Sequence, residues 1–224
     1  MADANRQDLR IIGETNSAGG QFGKVRITGE CTFSGDVDCT KLSCMGETKV
    51  AGSLRASELK LTGEVEIDGS LDAGHVGGRG ELEVSSRMRG EHIKLMGNLE
   101  VGGDCEAGVF DISGAFNVKG LVSAESLNVK MYGPCRAREI GGGTLTVKRS
   151  RASALIHLFK PNTAGDLIAD SIEGDVVELQ HTTAGVVRGK RVTIGPGCVI
   201  ERVEYAEMLD IHKSSTVKEM IRQA

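Results

Sequence analysis

The chain has 224 residues and a formal net charge of −4, with 31 glycines, 3 prolines, no tryptophan, 2 tyrosines and 5 phenylalanines. The acidic balance argues against a nucleic-acid binder built on a broad basic surface, and so few rings exclude a core of large aromatic side chains. No apolar stretch approaches the roughly 18–20 residues that span a bilayer, and the opening MADANRQDLRII lacks the apolar run of a signal peptide. The expected location is therefore the cytoplasm, where the six cysteines stay free thiols.

Residues 1–22, rich in Asn, Ser and Gly, read as a flexible N-terminal tail. From residue 23 to 135 the chain repeats every 17 residues. Stepping by 17 from Val25 meets Leu42, Leu59, Val76, Ile93, Phe110 and Leu127. Four positions after the first six of these stand Gly29, Gly46, Gly63, Gly80, Gly97 and Gly114. A second column holds Gly35, Gly52, Gly69, Ser86, Gly103 and Gly120. Within a repeat, apolar residues alternate with polar ones, as in Leu59, Leu61, Val65, Ile67 and Leu71. That two-residue period belongs to a strand with one buried face, and recurring glycine rules out a helix. Over the first six repeats this inward set is apolar or cysteine everywhere except Thr48 and Gly78. The fold expected is all-β: a single-stranded parallel β-helix, or β-solenoid, with 17-residue rungs that turn at glycine. One rung cannot bury its apolar face alone, and stacking does it.

The recurring strand, glycine-acidic turn and G-x-L-x-A corner in KLSCMGETKVAGSLRAS and ELKLTGEVEIDGSLDAG resemble the bactofilins, polymer-forming cytoskeletal proteins of bacteria. The resemblance covers residues 20–135 best. It implies a right-handed coil with flexible tails and end-to-end assembly into filaments without nucleotide. It also implies association with membrane or cell-wall machinery at the inner face of the cell membrane. Partners would be further copies of the chain or a paralogue, with no nucleic acid and no small-molecule substrate. The chain departs from the short form of that family in its longer, irregular second half and in lacking an apolar N-terminal membrane motif.

Residues 136–176 lose the columns, so irregular rungs or an inserted loop are expected there. Over 177–217 the coil resumes with Val177/Leu179, Val192/Ile194 and Leu209/Ile211, and 218–224 form a tail or cap. The last rung of a solenoid carries backbone groups without partners and so offers a template for another chain. Val25, Ile27 and Phe33 at one end and Leu209, Ile211 and Val217 at the other are therefore the expected polymerisation interface, unless LRII at 9–12 or the C-terminal tail folds over them.

Other chemistry is weaker. AGGQFGK at 18–24 matches the start of a phosphate-binding loop, but Val25 stands where Ser or Thr should hold Mg²⁺ and a strand follows in place of a helix. Cys31, Cys39, Cys44, Cys105 and Cys135 fall in apolar or small columns and read as buried hydrophobes. His75, His92, His157, His181 and His212 have no metal-ligand spacing. IGPGCVI at 194–200 resembles the hexapeptide motif of left-handed β-helix acyltransferases, in which His181 or His212 would serve as general base. The dominant 17-residue unit favours the scaffold over that alternative. Arg136, Arg138, Lys148, Arg149 and Arg151 make a basic stretch that reads as a solvated loop. No catalytic residue, cofactor or metal is expected.

Overall fold

A computed structural model describes residues 6–150 and 166–223. Its strands are β1 (Leu9–Ser17), β2 (Gly20–Phe33), β3 (Val37–Val50), β4 (Leu54–Ile67), β5 (Leu71–Val84), β6 (Met88–Val101), β7 (Cys105–Arg149), β8 (Leu167–Leu179), β9 (Thr182–Ile194), β10 (Val199–Ile211) and β11 (Thr216–Arg222). Each pairs in parallel with the next in chain order, and each bends round the corners of the coil. The result is a β-solenoid of about 12 turns, with no helix among the described residues.

The 17-residue columns are physical columns. Val25 lies beside Leu42, Leu42 beside Leu59, Leu59 beside Val76, Val76 beside Ile93, and Ile93 beside Phe110. Their side chains point into the coil and are essentially sealed from solvent. Each such burial is worth roughly 1.5–3 kcal/mol before chain entropy opposes it. The two breaks in the inward pattern are both accommodated. Thr48 is buried and its hydroxyl donates to Cys44 Sγ at 3.1 Å. At Gly78, with φ of 142°, a Cβ would stand 1.9 Å from the Leu61 carbonyl oxygen. A groove of about 670 Å³ lies beside it, lined in part by the stacked rings of His75 and His92.

Two glycine-dependent corners hold the rungs together. Gly29, Gly46, Gly63, Gly80 and Gly97 all have positive φ, and a Cβ on any of them would lie 1.8–2.4 Å from the carbonyl oxygen of the glycine one rung below. Only a residue without Cβ fits. At the second corner, Asp36 Oδ1 accepts from the Ser53 amide at 2.7 Å, Ser53 Oγ from the Ser70 amide at 3.1 Å, and Asp104 Oδ1 from the Leu121 amide at 2.8 Å. The glycines at 52, 69 and 120 vacate the space those acceptors occupy. On the outside, ion pairs join adjacent rungs at Lys41–Glu58, Lys49–Glu66 and Arg89–Glu106. One outer column instead stacks like charges: Glu14, Glu30, Glu47, Glu64 and Glu81 stand in register, and none has an ion-pair partner among the described residues.

Three boundaries differ from the sequence expectation. The expected tail 1–22 is structured from residue 6 onward, with Leu9–Ser17 forming β1. The irregular stretch expected at 136–176 is regular wherever it is described, because Cys135–Val147 pairs with Leu167–Leu179. The step from Cys135 to Leu167 is 32 residues, an altered rung length of the kind expected here, and residues 151–165 lie outside the described residues. The C-terminal segment expected as a tail or cap is strand β11 to Arg222.

Replacing Gly63 by alanine should destabilise the coil by roughly 2–4 kcal/mol, from positive φ plus backbone overlap. Gly141→Ala, where the nearest atom is the Leu121 side chain at 3.8 Å, should stay within about 0.5 kcal/mol of the parent. Thermal unfolding followed by circular dichroism checks both; equal midpoints would refute the corner argument.

Candidate assembly surfaces at the ends of the coil

The first end is built by β1. Leu9 lies over Val25, Ile11 over Ile27, Gly13 over Gly29 and Ser17 over Phe33. Residues just before it are tied down: Arg6 Nη1 pairs with Asp38 Oδ1 at 2.7 Å, Asp8 Oδ1 accepts from the Lys24 amide at 2.7 Å, and the Gln7 carbonyl accepts from the Gly23 amide at 2.9 Å. Val25, Ile27 and Phe33 are consequently buried, at 0%, 2% and 0% exposure, and cannot form the expected end surface. Leu9-Ile11-Gly13-Glu14 repeats Val25-Ile27-Gly29-Glu30 at a spacing of 16, one short of the period, which is why stepping by 17 passes over it. The outer edge of β1 has no strand partner among the described residues, and Ile12 on it is 70% exposed.

At the other end, Leu209, Ile211 and Val217 are half-buried and packed against the core. β11 lies over Val199–Tyr205, and among the described residues no strand pairs with Met208–Ile211 on that side. Met208, Met220 and Ile221 are exposed. Among the described residues β1 and β11 each have a strand neighbour on one side alone, with apolar side chains nearby.

The remaining sequence features resolve into structure. Gly19 and Gly20, both with positive φ, turn the chain from β1 into β2, so AGGQFGK opens a strand. His181 and His212 sit at corners that follow β8 and β10. A Cβ on Gly197 would lie 2.5 Å from His181 Nδ1, and His212 Nδ1 is 2.8 Å from Ser214 Oγ. In the basic stretch Arg138 pairs with Glu139, Lys148 with Glu178 and Arg149 with Asp166. Arg151 and His157 lie outside the described residues.

The chain is 45% identical to the Bacillus subtilis (strain 168) protein YhbE over 230 residues, which spans 95% of this chain and 96% of YhbE. It is also 52% identical to YhbF of the same organism over 82 residues, covering 37% of this chain and 32% of that relative. Both are described as uncharacterized proteins. No protein-family model matches the chain, and no solved structure matches it.

All six cysteines are buried free thiols spread through the core. Burial pushes the thiol of Cys39 up to about 11 and those of Cys105 and Cys135 up to about 12. A thiol held neutral in this way is a poor nucleophile and metal ligand at neutral pH. Because the unfolded value is near 9.0, these groups contribute stability fully below about pH 9, and that contribution is lost as the pH climbs towards 11–12. A thiol reagent at pH 8 should label none of the six in the native protein and all six in denaturant. The unfolding midpoint should fall above pH 9. Rapid native labelling of Cys105 or Cys135 would contradict the burial.

Proposed function

The chain belongs to the family of Bacillus subtilis YhbE, and we propose that it is a scaffold that assembles end to end with copies of itself, without nucleotide. The observation that carries this reading is the pair of open strand edges on β1 and β11 at opposite ends of one continuous coil. Folded proteins usually blunt an exposed edge with charge, proline, a bulge or a covering element. Here the β1 edge carries an exposed Ile12, and Met208, Met220 and Ile221 are exposed at the far end. A second coil placed on either edge satisfies the free backbone groups and covers that apolar surface.

The resemblance of the repeats to bactofilins supports the same reading and adds the cellular setting. On that basis the assemblies work as a cytoskeletal element in the cytoplasm, beside membrane or cell-wall machinery. A paralogue would be a candidate for joining them, since its rungs would share the same spacing. The activity is structural, with no catalytic step, cofactor or nucleic-acid partner.

Purified protein should sediment as large assemblies, and show elongated particles by negative-stain electron microscopy, with no ATP or GTP added. Ile12→Glu and Met220→Glu, each placing a charge beside an open edge, should raise the concentration needed for assembly about tenfold or more. Their circular dichroism should stay β-rich. A wild-type chain that stays monomeric at every concentration and salt tested would rule out the scaffold.

A further inference from the structure

One outward column of the coil runs through Arg26, Ser43, Lys60, Gly77, Lys94 and Asp111, and Gly77 is the one member without a side chain. Neither the backbone nor the neighbours require glycine there. Gly77 is not among the glycines at positive φ, and within 4 Å a Cβ on it would meet only the Lys94 carbonyl oxygen, at 3.4 Å. Gly78 differs, since its φ of 142° and the Leu61 carbonyl exclude a side chain. A glycine inside a strand forfeits packing, and where no bend explains it, it marks a place that something else approaches closely.

The gap belongs to the groove of about 670 Å³, within the roughly 300–1,000 Å³ of small-molecule sites. Two residues before Gly77 runs the column of His75, His92 and Val109, with the two rings 4.9 Å apart and 3° from parallel. Met96 stands in the column two residues after it. Met96 and Val109 are 49% and 36% exposed, so the groove has apolar walls in the body of the coil, several strands from β1 or β11. Lys60 and Lys94 stand one rung to either side of Gly77. The charge left over is positive. Of the carboxylates that line the groove, Glu58 is taken by Lys41 at 2.7 Å and Asp111 lies 3.4 Å from Lys94. Lys60 is exposed and has no ion-pair partner among the described residues.

We propose that this groove binds a small amphipathic monoanion of the class of fatty carboxylates. Its chain lies over the bare backbone at Gly77, between the imidazoles and Met96, and its head meets Lys60. The thioether of Met96 adapts readily to an aliphatic chain, and the carboxylate gives Lys60 the charged partner it lacks. A cationic amphipath would meet two lysines, and a fully hydrophilic anion would leave Met96 and Val109 uncovered. The inference stands on the groove and does not require assembly of the coil.

Calorimetric titration of the full chain with decanoate, kept below its micelle concentration, tests the site. Binding should saturate at one decanoate per chain. Gly77→Leu, which fills the gap, and Lys60→Glu, which reverses the charge, should each weaken it about tenfold or more while keeping the parent's unfolding midpoint. Lys119→Glu, the same charge change on an exposed residue outside the groove, should bind as the parent does. Decanol, with the same chain and no charge, should bind about tenfold more weakly or worse. If Gly77→Leu does not fold, Met96→Glu takes its place and should weaken binding as much. No saturable binding to the parent, equal affinity for decanol, or an affinity indifferent to these groove substitutions would overturn the inference. Flotation with phosphatidylglycerol vesicles separates a free ligand from a lipid surface. Flotation of the parent that Lys60→Glu abolishes would give the groove to a membrane and overturn the small-molecule site.

Discussion

The rest of the molecule depends on how closely successive turns approach at the first glycine corner. From Gly29 to Gly97 the backbone bends at positive φ directly above the carbonyl of the glycine below, in a gap that admits hydrogen and nothing larger. That approach fixes the register between turns. Once the register is fixed, every inward side chain lies on its counterpart, and every outward charge meets the residue one turn away. The aliphatic core, the sealed thiols and the rung-to-rung ion pairs are all consequences of one repeated contact. Small side chains suffice for such a core, which accounts for a chain with hardly any aromatic rings.

A coil held by contacts between neighbours has no intrinsic limit on its length. Each turn satisfies the backbone groups of the one before and exposes its own. What distinguishes this protein from a closed barrel is that its sheet must end, and it ends twice. On the scaffold reading proposed above, the assembly surface is a property of position in the stack, since among the described residues β1 and β11 differ from the interior strands mainly in lacking a neighbour on one side.

Much of this was legible in the residues. The column from Val25 to Leu127 and the two glycine columns correspond to real stacks, because a period of 17 with two-residue alternation has few other physical explanations. The ends were harder. β1 repeats the motif at a step of 16, and the corners absorb the difference, so Leu9 and Ile11 passed for a tail while Val25, Ile27 and Phe33 passed for the surface. In the second half, steps of 15 between β8 and β9 and of 32 across β7 and β8 scatter the columns along the sequence while keeping them straight in space.

The outer row of Glu14, Glu30, Glu47, Glu64 and Glu81 behaves as a line charge. Adjacent carboxylates are set one turn apart, about 4.8 Å, whereas two unit charges in water interact with thermal energy at about 7 Å. The mutual repulsion along this flank is screened as ionic strength rises.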